Sequence, residues 1–409
     1  MTAVYRGETM KEAFIRELKR KTLSFVHNAQ YLVGRRRMES IFDGYDATTI
    51  ENPPMKGTKT IAFVITRMVR FHGGQTSVLR LGTRLAQKGM KVLYLIYKPQ
   101  SVGEMKLCAK SNLDGYEGSF ASYDAYVSGI GKKYVMPDIV VATSWDTVSY
   151  AKKLDTYRMY FVQDYEPYFY QFGEEFLMSR STNGQGLHMV SLGAWNRTMI
   201  EKEAEPVSPV DVISFPYEAR EYPIVERDYA RYRDKKTITL AVYVKYYGKR
   251  LPNLIPYILS NTAKELEGRG ITLDVRYFGE AGTYRIPGGK NLGQLSHEEL
   301  AKLYSEADFG MVASMSNISL VPYEMHATGL PLIEFKEGTY PFFFPEDTAL
   351  LASINDRDIA GMLLEAIENP DKIREMNEKA REHMKELSWE RTGDEFYEII
   401  HKTYDAGKA

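Results

Sequence analysis

The chain has 409 residues, enough for two or three domains and far more than a small stapled scaffold needs. Apolar residues make up 44% and charged residues 26%, and a net charge of −1 gives no basic field for nucleic acid. The single cysteine, Cys108, excludes an internal disulfide framework and fits a reducing compartment. The N-terminus lacks the apolar core of a secretory signal, and no run is long enough to span a bilayer. A cytoplasmic location is therefore expected. The 30 tyrosines suit sugar-binding surfaces, but tyrosine is also a common half-buried residue.

Residues 1–50 stand apart. In "KEAFIRELKRKTLSFVHNAQYLVGRRR", Phe14, Leu18, Phe25 and Leu32 recur near helical spacing, between the basic clusters Lys19, Arg20, Lys21 and Arg35, Arg36, Arg37. Such a helix either meets anionic lipid at the inner membrane face or packs on the body with a solvated basic face. Pro53, Pro54 and Gly57 mark a break.

From residue 60 the pattern is strand, loop, helix, strand. "TIAFVI" is a short apolar run, "TRMVRFHGGQ" a loop with paired glycines, "TSVLRLGTRLAQKG" a helix ended by Gly89, and "KVLYLIY" the next strand. "DIVVATSW", "YRMYFVQD", "HMVSLG" and "VDVISF" follow. Short apolar runs separated by helices predict a parallel sheet covered on both faces. The tyrosine-rich, charged segment 216–236 reads as an interdomain connection. The pattern then restarts with "TITLAVYV", a helix over "NLIPYILSNTAKELEGRG", and "ITLDVRYFG". Ser296 and Glu299 form a capping box before "HEELAKLYSEA". "DFGMVAS", the loop "MSNIS", a short helix between Pro322 and Gly329 and the buried strand "LIEF" come next. Helices over 356–368, 371–387 and 389–404 close the chain. The expected organisation is a basic helical segment (1–50), an N-terminal Rossmann-like domain (51–220), a C-terminal Rossmann-like domain (221–387), and a last helix (388–409) packing back on the N-terminal domain. Ligands of such sheets sit beyond the carboxyl ends of the strands, so two in tandem predict a cleft.

The residues with chemistry lie in those loops. In "FHGGQTS", Gly73 and Gly74 let a ligand approach a helix N-terminus or make a tight turn, and His72 projects from the loop. No dinucleotide fingerprint is present. In "FVQDYEPYF", Asp164 and Glu166 follow a buried strand. They are either solvated loop acids or groups that bind hydroxyls and take a proton, beside the aromatic walls of Tyr165 and Tyr168. Lys245 and Arg250 flank a helix start. They are either surface cations or a diphosphate clamp. The small residues of "SMSNISL" let the amides of residues 317–320 turn inward as an anion nest: Asn317, Ile318, Ser319 and Leu320. Glu324, in a helix's first turn, complements the dipole or accepts bonds from sugar hydroxyls. No metal-ligand spacing appears. Asp356 and Asp358 read as an N-cap and a first-turn acid, so no metal or other cofactor is expected.

In that order these pieces resemble glycosyltransferases of the two-domain GT-B architecture, an α/β fold with two Rossmann-like domains facing a cleft and helices at the C-terminus. The second half resembles glycosyltransferase family 4. Lys245 and Arg250 stand where that family has Arg and Lys, with the types exchanged. "NLGQLSHEELAKLYSEADF" matches its Leu-Gly-x-Leu-Ser-x-Glu-Glu-Leu run, and "EMHATGLP" its Glu-Ala-x-Ala-x-Gly-x-Pro. The resemblance implies that Gln294 and Leu295 lie near the nucleotide base and that Glu324 is the second family glutamate, a contact of the ribose. The first, usually against the transferred sugar, is replaced by Ser316. "YFVQDYEPYFY" and "SLGAWN" resemble bacterial rhamnosyltransferases that assemble rhamnan-type S-layer and surface glycans (WsaF type). That likeness implies a dTDP-β-L-rhamnose donor, retention of configuration and a glycan acceptor, lipid-linked at the membrane face. A UDP- or GDP-hexose donor, or binding without catalysis, is the alternative that Ser316 leaves open.

Overall fold

A computed structural model describes residues 10–218, 220–246 and 250–408; for residues 10–14, 16 and 356–358 it describes the backbone only. The chain forms two compact units, residues 1–47 and 48–409. In the first, the described residues form one long helix, α1 (Met10–Gly44), which carries both basic clusters, residues 19–21 and 35–37.

The second unit holds two parallel sheets. In the first are β1 (Thr60–Ile65), β2 (Lys91–Ile96), β3 (Ser119–Ser122), β4 (Ile139–Ala142), β5 (Tyr157–Val162), β6 (His188–Leu192) and β7 (Val210–Ile213), in the order β3-β2-β1-β4-β5-β6-β7. The helices between them are α2 (Gly73–Gln87), α3 (Val102–Asn112), α4 (Tyr123–Gly129), α5 (Trp145–Lys152), α6 (Glu174–Thr182) and α7 (Ala194–Glu203). The strand runs are buried on both faces; all four residues of β4 and all five of β6 are buried. That is why they read as continuous apolar runs rather than as alternation. Each buried Val, Ile or Leu contributes about 1.5–3 kcal/mol before entropy is counted.

The second sheet contains β8 (Thr237–Tyr243), β9 (Thr272–Phe278), β10 (Lys290–Asn291), β11 (Phe309–Met311), β12 (Leu332–Phe335) and β13 (Leu350–Ala352), in the order β10-β9-β8-β11-β12-β13. Its helices are α8 (Leu254–Glu267), α9 (His297–Glu306), α10 (Leu320–Ala327), α11 (Asp356–Glu368), α12 (Pro370–Met384) and α13 (Trp389–Ala406). Helix α13 returns to the first sheet. Arg84 of α2 pairs with Glu390, Glu395 accepts the Ser214 hydroxyl at 2.7 Å, and Phe161 meets Phe396 edge-on at 6.1 Å.

Two boundaries differ from expectation. Helix α2 starts at Gly73, so the paired glycines lie in its first turn and not in the loop. His72 is the reason: it is the N-cap, and its Nδ1 accepts from the Gln75 N–H. Helix α10 starts at Leu320, two residues before Pro322, because proline is tolerated in a first turn. The expected capping box of α9 forms, with Ser296 and Glu299 each bonding the other's backbone.

Strand order reverses between β1 and β4 and again between β8 and β11. The loops leaving these strands carry His72, Arg250 and Ser316, and the loop after β5 carries Asp164. Open α/β sheets bind ligands at such switch points.

Candidate functional site

The two domains meet through the loops after β5 and β11. The Ser316 hydroxyl donates to Asp164 Oδ1 at 3.1 Å, and the Tyr165 N–H donates to the Ser316 carbonyl at 3.3 Å. The Asn317 amide donates to the carbonyls of Gln163 and Leu192. Ser316 and Asn317 are fully buried by this contact. Asn317 Oδ1 also accepts the Ile318 N–H at 2.9 Å, so that member of the expected amide nest is bound by the side chain next to it. Ser319 is the N-cap of α10, and its hydroxyl is buried with no protein partner. Leu320 opens the helix, half-buried.

Behind this loop lies Arg250, only 2% exposed. Its guanidinium donates to the Ala313 carbonyl at 3.0 Å and stands 5.8 Å from the Tyr243 ring centroid. Lys245 is half-buried just past β8; residues 247–249 between the two cations lie outside the described residues. Leu251, next to Arg250, has φ 46°, and Phe71, next to His72, has φ 53°. Each precedes the helix that follows a switch-point strand. Such conformations cost a bulky residue roughly 1–3 kcal/mol and cluster at functional loops.

A buried carboxylate under Arg250 is a residue the sequence reading missed. Glu334 of β12 accepts from the Ser314 N–H at 3.1 Å and from its hydroxyl at 2.6 Å. Burial pushes its carboxyl up to about 7, against the pull of Ser314 and Arg250. Ser314 is held from the other side by the Thr339 N–H, which donates to its carbonyl at 2.6 Å. The loop that reaches the first domain is thus clamped at its root. An acid inside the apolar run "LIEF" was the available signal, since an acid is almost never fully buried without a partner.

Glu324 lies among tyrosines. Tyr304 donates to Glu324 Oε2 at 3.1 Å, and Tyr222 lies beside the same carboxylate. Burial pushes Glu324 up to about 7. Tyr222 also meets His297 Nδ1 at 3.0 Å; Glu221 is bonded by Arg80 of α2 at 2.5 Å. This string ties the first domain, the connection and the helix of Glu324 together. Its tyrosines were unassigned in the sequence. Gln294 is exposed and Leu295 half-buried in the turn before α9.

On the first domain's side, an ideal Cβ on Gly74 would stand 3.5 Å from Gln163 Oε1, so the first turn of α2 lies beside the Asp164 loop. Gly73 is exposed there. Glu166 turns away from Asp164's partner: its carboxylate takes the Trp145 N–H at 2.6 Å, at the start of α5, and the Tyr160 hydroxyl at 3.2 Å. Burial pushes it up to about 8. Tyr165 is buried edge-on to Tyr168 at 5.0 Å, and Tyr168 is exposed with its hydroxyl on Glu203 at 2.9 Å. The structure therefore brings Asp164, Ser316 and Asn317 together, with Gly74 beside them and Arg250 bonded into the same second-domain loop. Glu166 and Tyr168 have partners elsewhere in the first domain. Among the described residues no group of three or more His, Cys, Asp or Glu side chains is placed to hold a metal ion. Helix α11 begins at Asp356, and the side chains of Asp356 and Asp358 lie outside the described residues.

No protein-family model matches the sequence, and no curated protein matches it. Solved structures do. Sucrose-phosphate synthase from Thermosynechococcus elongatus aligns with a TM-score of 0.63 at 15% identity, over 85% of this chain and 100% of that one. Anabaena HepE in complex with UDP-glucose gives 0.65 at 12% identity, over 84% and 99%. Staphylococcus aureus TarM, in a mutant form complexed with Fondaparinux, alpha-GlcNAc-glycerol and UDP, gives 0.64 at 9% identity, over 85% and 100%. At these identities the likeness speaks to architecture. Two Rossmann-like parallel sheets, a cleft lined by their carboxyl-end loops and a returning C-terminal helix make this a chain of the GT-B fold.

Proposed function

We propose that the chain is a nucleotide-sugar glycosyltransferase that moves L-rhamnose from dTDP-β-L-rhamnose to a hydroxyl of a growing rhamnan-type glycan, with retention and without a metal. The observation that carries the reading is the meeting of Ser316 and Asn317 with Gln163 and Asp164, on a loop to which the buried guanidinium of Arg250 is bonded. A fully buried cation anchored at a switch-point loop is the group a leaving diphosphate needs.

In this reading Lys245 and Arg250 neutralise the diphosphate, with the backbone and hydroxyls of Asn317, Ile318, Ser319 and Leu320 around it. Glu324 accepts a bond from the sugar ring of the nucleoside, and Gln294 and Leu295 border the base. Asp164 stands at Ser316, the position where the resembled family carries its own acid, so a carboxylate reaches the transferred sugar from the opposite domain. His72, Gly73, Gly74, Tyr165 and Tyr168 border the acceptor, which is carried on a lipid at the membrane face. Glu166 acts through α5 and the Asp164 loop. Domain contact through Asn317 excludes water and so favours transfer over hydrolysis. Under retention the leaving phosphate itself takes the acceptor's proton.

A UDP-linked hexose is the second reading. It draws on HepE and TarM, whose solved structures hold UDP-glucose and UDP. Thermal-shift measurements over dTDP-, UDP- and GDP-sugars decide between them, since a ligand stabilises the state that binds it. Stabilisation by dTDP-rhamnose above the others supports the first reading; preference for a UDP- or GDP-sugar replaces it.

A further inference from the structure

The motif "SLGAWN", residues 191–196, makes the corner between β6 and α7. Its own bonds hold it in one shape. The Ser191 hydroxyl donates to the Gly193 carbonyl at 2.6 Å. The fully buried Asn196 amide donates to the carbonyls of Val162 and Leu192, the last residues of β5 and β6, both at 3.3 Å. Gly193 has φ 83°, in the left-handed region that glycine enters without strain.

The second domain grips this corner at two points. Asn317 donates to the Leu192 carbonyl at 3.3 Å, the oxygen that Asn196 also holds. Phe343, in the loop after β12, lies on Gly193, where a Cβ would overlap its ring. It also meets Phe215 edge-on, with centroids 5.7 Å apart. The second domain fixes this loop in turn. His383 Nε2 donates to the Phe343 carbonyl at 2.7 Å, and Phe344 stacks on Tyr340 at 5.0 Å. Half-buried, Phe343 packs against the core of the first domain. A cavity of about 250 Å3 lies beside it, lined by Ala194, Val212 and Phe215 on one side and by Tyr323 and Phe342 on the other.

We propose that Phe343 is a positioning residue: seated on Gly193, it fixes how the second domain meets the ends of β5 and β6, and through them where Asp164 stands against Ser316. The bonds supply the path. Asn317 joins Leu192 to Gln163, just past β5, and Asp164 is next in the chain. The Tyr165 N–H then donates to the Ser316 carbonyl at 3.3 Å. A misplacement of about 1 Å at a reacting centre can cost roughly a hundredfold in rate. The consequence for transfer rests on the transferase reading; the seating of the ring does not.

Hydrogen–deuterium exchange of the full chain, read by mass spectrometry, tests this without any donor. Phe343→Ala should speed exchange at residues 163–166 about tenfold, although the substitution is at the other grip point. Gly193→Ala should do the same in the parent but add nothing to Phe343→Ala, because no ring is left to overlap. Losses that multiply, as strain at φ 83° alone would give, overturn the seat. Removing the ring enlarges a cavity that already exists, so Phe343→Ala should fold, as circular dichroism checks. Its turnover should fall about tenfold, with dTDP affinity within about twofold of the parent's. Exchange that rises only around residues 193 and 343, or nowhere, overturns the proposal whether or not the chain transfers sugar. So does unchanged turnover in an active enzyme whose Asp164 loop has loosened. Loosening of that loop in a chain that transfers nothing supports the seating and sinks the transferase reading alone.

Discussion

The Ser316 hydroxyl donates to Asp164 across the cleft at 3.1 Å, 152 positions apart in the chain. This contact joins the domains at the position where the resembled family supplies an acid from the second domain. Asp164→Asn keeps an acceptor for Ser316 but removes the charge. Turnover should fall about a hundredfold or more, while dTDP affinity by calorimetry stays within about twofold. Full turnover would make Asp164 a structural tether only.

Glu324→Gln should weaken dTDP binding by about tenfold, and Glu324→Ala by more, because the buried Tyr304 hydroxyl then loses its acceptor. Calorimetry measures both. Unchanged affinity in both variants would leave Glu324 as a partner of the tyrosines and nothing further.

Arg250→Lys keeps a buried cation and the bond towards the Ala313 carbonyl but loses the planar fork. Turnover should drop on the order of 100-fold with little change in acceptor KM. Normal turnover removes Arg250 from the leaving-group site.

Glu334 gives a pH test. Its carboxyl rises from 4.5 to about 7 on folding. The folded protein holds this proton where the unfolded chain has released it. The contribution to stability is therefore complete below the unfolded value of 4.5 and is lost as pH rises through about 7. Glu334→Gln cannot titrate. Its melting temperature, relative to the parent's, should rise with pH between about 5 and about 8. Parallel curves would contradict the buried-acid account.

Ser296→Ala removes half of the α9 capping box and should cost about 1 kcal/mol in denaturant unfolding, with catalysis untouched. A loss below about 0.3 kcal/mol would mean the helix start is fixed by tertiary packing instead.

The strands were legible because burial on both faces makes each a short continuous apolar run; β1, β4 and β8 lie inside the expected segments. β3, β10 and β13 were not. They have four, two and three residues at or near sheet edges, too few to carry a pattern. Lys245 and Arg250 stood out as candidates because they lie between a strand end and a helix start, which local patterns mark; Ser316 and Glu324 stood out through the family resemblance, and Glu324 lies in the second turn of α10 rather than the first, because the helix starts at Leu320. Partnerships were not legible. That Glu166 bonds the start of α5 needs the adjacency of β4 and β5, and that Asp164 faces Ser316 needs the docking of two domains. Glu334 was hidden because burial of an acid depends on Ser314 and Arg250, which arrive from other strands.

The most direct measurement is the reaction itself. The full chain is incubated with dTDP-β-L-rhamnose and a rhamnose-terminated acceptor, and the product is read by mass spectrometry and NMR. The account predicts dTDP release that depends on acceptor and an acceptor longer by one rhamnose with the β configuration retained. No acceptor-dependent release from dTDP-, UDP- or GDP-sugars would contradict the transferase reading, and an inverted centre would contradict retention.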